Sequence, residues 1–424
     1  MLKFLITRVQ VIYVGIALIC LMDSEISLQD RRILILGAGA WQVPYLVAAK
    51  QLGLKTYVTD WSTDPVGARH AHVFEPIDLK DQNCTLAFAK QHGVEGVFTA
   101  AEIGVTTAAY VAARLELLYH PPEVALAATN KYEMRKQARE IDILGPEFHL
   151  SNHVDEAISM SKEMGFPLVL KPLDNCACRG VAVVRNREEL VAAYGNSTRC
   201  STSGQVLVES LMTGREGSIE AIVDNGRVTI LGICDKVKAP LPYRYDIQLN
   251  YPGDWSVTQH NRIITLVERL VQGFNIRDGI IHVEVIVDGN CVKLIEFAVR
   301  CCGSHVVAKL IPAMTGFDVM EYLFHAALGI KRPIRLGGNK CGVLKFIMLE
   351  ENRRIKHIRG LAAAKQISGV LDLQIERKTG DNVGEIRDGR SRPGLVLAVG
   401  ANRKELDEII GQVGSTLDIG YFYS

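Results

Sequence analysis

Two short turns, Asp224-Asn225-Gly226 and Asp288-Gly289-Asn290, constrain this chain more tightly than any other feature of its sequence. Each stands between runs of apolar and β-branched residues, "GSIEAIVDNGRVTILGIC" and "GIIHVEVIVDGNCVKLIEFAVR". Such turns need backbone conformations that Asn, Asp and Gly accept most readily, and they join antiparallel neighbours. The middle third is therefore expected to be α+β with antiparallel sheets. The stretch before it reads differently. "RILILGAG", "KTYVTD" and "VEGVFTA" are strand-like, and "VPYLVAAKQLG" and "TTAAYVAARLE" between and after them have helical apolar spacing. Apolar strands alternating with helices predict a parallel α/β sheet, broken by "YHPPEVA" near residue 121. After "EYLFHAALGIKRP" the chain turns to short strands and glycine-rich turns, the mark of a small β-rich terminal domain.

Charge excludes several classes of partner. With 48 basic against 47 acidic residues, nothing favours a nucleic-acid or anionic-membrane surface. None of the ten cysteines forms a Cys-x-x-Cys pair, so they read as reduced cytosolic thiols. Near the N-terminus, "VIYVGIALICLM" (Val11 to Met22) has signal-core length, is too short to span a bilayer, and precedes no small-x-small cleavage site. Residues 1–30 are expected to be a dispensable leader or a mis-called start, with Met22 a natural initiator. An export or membrane signal is the alternative.

Three constellations carry chemistry. Gly37-Ala38-Gly39 follows the first strand, and Asp60 ends the second about 20 residues on, as in a dinucleotide site. Gln42, however, stands where the third glycine belongs. The turn could equally hold a substrate carboxylate or phosphate on its backbone N–H groups, or bind nothing. In the second, Lys171 ends the apolar strand "FPLVLK" ahead of a polar loop, from which it can reach nucleotide phosphates while residues 172–181 close over them. Glu209 and Glu216 follow at a spacing suited to adenine and ribose; a solvated strand end with surface glutamates is the bland reading.

The third constellation is the second hairpin. With a three-residue loop at 288–290, residue 282 pairs with 296, and Glu284 and Glu296 become diagonal neighbours on one face, roughly 7–8 Å apart. Two carboxylates on an apolar face are costly unless paired or bound to metal. Beside a nucleotide they suggest magnesium, which takes one or two carboxylates plus phosphate oxygens. Arg300 alternates onto the same face, placed to stabilise a transferring phosphoryl group. A structural Glu–Arg cluster is the alternative.

The ordered series "NKYEMRK", "VLKPLDNCACRGV", "VESLMTGREGSIE" and "VEV…LIEFAVR" resembles the ATP-grasp superfamily, whose members include biotin carboxylase, carbamoyl phosphate synthase and the L-amino-acid ligases. The likeness covers roughly residues 31–424. It implies a Rossmann-like domain in front (31–125), a two-lobed ATP-grasp domain (126–330, mobile lobe about 140–208) and a β-rich C-terminal domain (331–424). It also implies that ATP is held by Arg135, Lys171, Arg179, Gly180, Glu209, the Leu211 backbone, Glu216 and Lys236. Glu284 and Glu296 would hold Mg2+ (or Mn2+), Arg300 and Lys171 would serve catalysis, and Gly37, Gly39, Glu102 and Ser304 would line the acceptor pocket. Two departures stand out. The phosphate loop keeps a single glycine, Gly180, and Ala298 replaces the usual asparagine of the metal hairpin, a change the amino-acid-ligase branch tolerates.

The resemblance implies a cytoplasmic, ADP-forming ligase that joins a small carboxylate to an amine, with an amino acid as substrate. No nucleic-acid or stable membrane partner is expected, and a homodimer is the default. The rival readings are an ATP-binding module without turnover and an NAD-dependent oxidoreductase built on the first glycine turn.

Overall fold

The structure, a computed structural model, describes residues 27–175, 178–241 and 243–422. The leader expected at the N-terminus lies almost wholly outside them. Four parallel strands open the chain: β1 (Arg32–Leu36), β2 (Lys55–Thr59), β3 (Val73–Glu75) and β4 (Gly96–Thr99), in the order β3-β2-β1-β4. Successive β1 side chains face opposite sides. Ile33 and Ile35 meet Tyr45 and Leu46 of the helix Val43–Gln51, whereas Leu34 and Leu36 meet Ala108 and Val111 of the helix Val105–Arg114. The sequence reading passes over β3, a three-residue edge strand with no buried residue.

A second, antiparallel sheet forms a small lobe from β5 (Phe148–Ser151), β6 (Leu168–Pro172), β7 (Ala182–Val184) and β8 (Val206–Ser210), in the order β5-β8-β6-β7. The helices Val154–Met164 and Arg187–Cys200 cover one face of it through Ala157, Leu190 and Tyr194.

The remaining strands are β9 (Arg215–Asp224), β10 (Arg227–Lys238), β11 (Asp246–Tyr251), β12 (Gly279–Asp288), β13 (Cys291–Ala298), β14 (Cys341–Ile347), β15 (Ile355–Arg359), β16 (Val370–Ile375), β17 (Gly394–Gly400) and β18 (Asp418–Tyr421). Eight of them make one antiparallel sheet, β13-β12-β9-β10-β11-β14-β17-β16; β15 and β18 pair separately. The β-rich C-terminal segment thus continues the central sheet across the β11–β14 ladder. It also contains a helix, Arg403–Thr416, that the sequence reading did not anticipate. Its polar composition and two glycines obscure an apolar stripe of Leu406, Ile409 and Val413, which packs beside β14 and β17.

The first diagnostic turn is as expected: Asp224 pairs with Arg227 around Asn225 and Gly226, both left-handed. The second corrects the expected register. Asp288 pairs with Cys291 around a two-residue turn, so a regular ladder would bring Ile295 opposite Glu284 and turn Glu296 to the other face. A β-bulge absorbs Ile295, after which Glu284 pairs directly with Glu296 and His282 with Ala298. The two carboxylates share a face as expected, but as a direct cross-strand pair. Among the described residues, no helix is long and apolar enough to cross a membrane.

Candidate active site

Strand alternation gives the central sheet two unlike faces. Ile219, Ala221, Val283, Val285 and Val287 point into a core shared with the helix Val257–Gly273, led by Ile263, Val267 and Leu270. The intervening residues, Glu216, Ser218 and Glu220 on β9, Lys236 and Lys238 on β10, and His282 and Glu284 on β12, share the opposite face with Glu296. Nearly all of them are buried or half-buried and paired, as groups of this kind must be away from water.

The small lobe meets this face through a buried carboxylate. Glu209, near the end of β8, accepts from Arg135 Nε at 2.7 Å and from Lys171 Nζ at 2.6 Å. Arg135 projects inward from the helix Lys131–Glu140, which is capped by the Asn130 side chain. Its Nη2 donates to the carbonyl of Ile295, the bulged residue of β13. Burial works against ionisation of Glu209, but the two cations prevail and hold its carboxyl at about 2. Arg135 Nη1 is buried without a hydrogen-bond partner among the described residues. An orphaned cationic donor beside Lys171 suits a polyanion such as a nucleotide triphosphate.

The loop after Lys171 is held by polar groups of its own and of the segment that follows the helix Arg187–Cys200. Asp174 accepts from the Ser201 hydroxyl and from the Thr202 and Ser203 N–H groups at 2.8–2.9 Å, and Arg179 donates to Asn175. Gly180 has φ +71°, and a Cβ there would lie 2.7 Å from Cys200 Cβ. Packing and backbone geometry therefore account for this glycine. The Leu211 N–H is taken by the Pro167 carbonyl at 3.3 Å, tying the segment after β8 to the start of β6.

Glu216 accepts from Lys238 Nζ at 2.9 Å and from Arg244. Lys238 also reaches Asp246 at 2.8 Å. Lys236, expected near phosphates, lies 2.8 Å from Glu284 and 3.7 Å from Asp246. Burial would lower the Lys236 pKa, but these carboxylates hold it well above the usual lysine range. His282 bridges Glu220 at 2.7 Å and Glu284 at 3.1 Å, and despite burial they raise its pKa to about 9. Glu284 is held well below the carboxylate range: burial opposes this, and Lys236 and His282 outweigh it. Across the hairpin, Glu296 lies 3.6 Å from Lys131, whose ammonium also donates to the Asn175 carbonyl. Glu284 and Glu296 fit a hard divalent cation: opposed oxygen donors on one face, both reached by cations that a metal could replace.

Arg300 follows β13, and its Nε donates to Glu102 Oε2 at 2.5 Å. Glu102 begins the short turn ahead of the helix Val105–Arg114, so the pair brings the first domain to the hairpin. Ser304 has φ +57°, inside the left-handed region. The glycine turn does not suit a dinucleotide. The Gln42 side chain lies against Gly37 and Gly39, and Asp60 accepts from the Ala38 N–H at 2.7 Å and the Ser62 N–H at 3.0 Å. The acid that a ribose would need is buried and braces the turn through both of its oxygens, which gives the oxidoreductase reading no support. The adjacent Cys301 and Cys302 are buried, and burial pushes the Cys301 thiol to about 12, so no nucleophilic thiolate forms there.

The sequence reading missed Lys131, Lys238, Arg244, Asp246 and His282. Alternation offered a signal for two of them, since Lys238 lies two residues beyond Lys236 and His282 two before Glu284.

Comparison with known proteins agrees with this layout. Residues 164–308 match the ATP-grasp domain family, and residues 345–421 match the L-amino acid ligase C-terminal domain 2. The chain is 23% identical over 329 residues to the carbamoyl phosphate synthase large chain of Thermoanaerobacter pseudethanolicus, using 73% of this chain but only 30% of that one. Its fold is similar to that of an L-amino acid ligase from Bacillus licheniformis (TM-score 0.78, 20% identity, 93% of this chain and 100% of that one). It is also similar to a phosphoribosylglycinamide synthetase from Anaerococcus prevotii (TM-score 0.73, 17% identity, 92% and 100%). The chain carries an ATP-grasp domain followed by an L-amino acid ligase C-terminal domain.

Proposed function

We propose that this chain is an ATP-dependent, ADP-forming ligase that joins a carboxylate to an amine through an acyl phosphate, with an amino acid among its substrates. The observation that carries the reading is that three charge systems are tied to the one hairpin, β12–β13. Lys171 and Arg135 converge at Glu209 on the small lobe, Glu284 faces Glu296 on the hairpin, and Arg300 stands beside Glu102. Arg135 and Lys171 hold the triphosphate, and Glu216 takes the ribose hydroxyls once Lys238 and Arg244 yield to them. A divalent metal bound by Glu284 and Glu296 would screen the charge on the phosphate oxygens.

The substrate carboxylate attacks the γ-phosphorus, a carboxyl O–P bond forms, and the bond to ADP breaks. Lys171 and Arg300 stabilise the charge on the transferring group. The amine then attacks the carbonyl carbon, and phosphate departs with the bonding electrons. The loop after Lys171, of which residues 176 and 177 lie outside the described residues, shields the acyl phosphate from water. The reading includes a cytoplasmic location and, as the default, a homodimer. The test is release of ADP, AMP and phosphate from ATP and Mg2+ by the full chain, against pooled L-amino acids and small carboxylates. Substrate-dependent ADP and phosphate support the ligase. AMP overturns the acyl-phosphate route, and ATP binding without product from any pool favours a binding module.

A further inference from the structure

Among the described residues, the buried histidines His120, His305 and His325 have no role above, and His305 is the one beside the hairpin arginine in sequence. His305 lies five residues beyond Arg300 and caps the π-helical turn Val306–Leu310, a type of irregularity found often at functional sites. It has φ +60° and directly follows Ser304 at φ +57°. Two consecutive non-glycine residues in the left-handed region are strained, and such strain persists where the surroundings impose it. The imposing contacts come from three parts of the chain. Trp41 of the first glycine turn packs on the imidazole, with ring centroids 5.1 Å apart. Asp372 of β16 places Oδ2 3.1 Å from His305 Nδ1. The same oxygen accepts from Lys309 Nζ at 2.6 Å and Gln374 Nε2 at 2.8 Å.

These partners fix the tautomer. Asp372 is held well below the carboxylate range, since His305 and Lys309 outweigh its burial, and an ionised carboxylate only accepts. Nδ1 therefore carries the proton and Nε2 the lone pair. Lys309 balances the charge of Asp372, so the imidazole is not needed as its counter-ion. Nε2 is buried and has no hydrogen-bond partner among the described residues. A purely structural histidine gains nothing from a buried, unsatisfied acceptor. An acceptor kept for an incoming N–H does.

We propose that His305 Nε2 takes a proton from the ammonium group of the amine substrate, and that Asp372 is its positioning residue. This rests on the ligase reading and names the group that activates the nucleophile. At neutral pH the amine arrives as R–NH3+, with its lone pair tied up in an N–H bond. His305 Nε2 removes one proton and becomes imidazolium, which Asp372 stabilises. The freed lone pair forms the C–N bond, the C–O bond to phosphate breaks, and phosphate leaves with that electron pair and the second proton. One N–H remains in the amide, and His305 later returns its proton to solvent.

Hydroxylamine separates this role from a structural one, because it is largely unprotonated at neutral pH and attacks acyl phosphates without a base. The full chain is assayed with ATP, Mg2+ and L-amino acids, using either an L-amino acid or hydroxylamine as the nucleophile. His305→Asn should lose at least about 100-fold in amide formation and keep hydroxamate formation within about threefold. Asp372→Asn should show the same split with a smaller loss. Equal loss of both products, or unchanged amide formation, overturns the proposal. If the wild type forms no hydroxamate from any amino acid, the ligase reading falls, and this inference with it. A substrate-free check is 15N NMR of the imidazoles at neutral pH, with His305→Asn as the assignment control. The His305 signal should be that of the neutral Nδ1–H tautomer; an Nε2–H tautomer or an imidazolium refutes the proposal even where the variants fail to fold.

Discussion

Replacing Glu209 by glutamine keeps the shape of the side chain and removes its charge. In the wild type that carboxylate is the shared partner of Arg135, 2% exposed, and Lys171, whose side chain is 12% exposed. Holding a carboxyl at about 2 rather than its ordinary 4.5 is worth roughly 3 kcal/mol. Removing one partner of a buried pair costs about 3–5 kcal/mol by independent precedent. The folded-state pKa is depressed, so this stabilisation is fully present above 4.5 and fades as pH falls from 4.5 toward 2. The small lobe should feel the loss first, because β6 and β8 carry Lys171 and Glu209. Native-state hydrogen exchange is the assay. At pH 7 the slow amides of β6 and β8 should open about 100-fold more readily in Glu209→Gln, while those of β1 and β4 change little. At pH 3 the difference between variant and wild type should shrink. A change under fivefold at pH 7, or a gap that stays constant as pH falls, would refute the view that this carboxylate holds the lobe's cations in place.

Three further outcomes follow from the geometry. Glu284→Gln and Glu296→Gln should each weaken Mn2+ binding about 10–100-fold, read by metal titration, with ADP release falling in parallel; unchanged affinity in both would remove the hairpin from metal binding. Glu102→Gln should loosen Arg300 and lower turnover up to about 100-fold while leaving nucleotide affinity near wild type, and an effect on affinity alone would contradict that assignment. Gly180→Ala places a Cβ against Cys200 and Pro172 at φ +71°, so stability should drop by about 1–3 kcal/mol in thermal or urea denaturation, whereas a neutral result would mean the loop relaxes freely.

Much of this layout is legible in the sequence because it depends on local rules. Lys171 ends an apolar strand, Asn225-Gly226 can hardly be anything but a hairpin turn, and alternation alone puts Glu216, Ser218 and Glu220 on one face. What escapes is what distant residues decide. The bulge at Ile295 lies five residues past Asn290, the last residue of the turn, and its carbonyl is satisfied by Arg135 from another part of the chain. The partners of Glu209 lie 74 and 38 residues before it, beyond any periodic pattern. His305 and Asp372 are likewise 67 positions apart. In Arg403–Thr416 the helical stripe is present in the sequence, but two glycines and a polar surface outweigh it on inspection.

The continuous ladder from β13 to β16 sets the mechanics of the molecule. Glu284, Glu296 and Asp372 all ride on one hydrogen-bonded sheet, whereas Lys171 and Glu209 belong to a separate four-stranded one. On the ligase reading proposed above, the carboxylates Glu284 and Glu296 and the aspartate Asp372 form the stator of a machine, and the lobe carrying Lys171 and Glu209 is its moving jaw. A pair of labels with one on β8 and the other on β13 should report the catalytic stroke, and a pair on β13 and β16 should stay silent through every turnover.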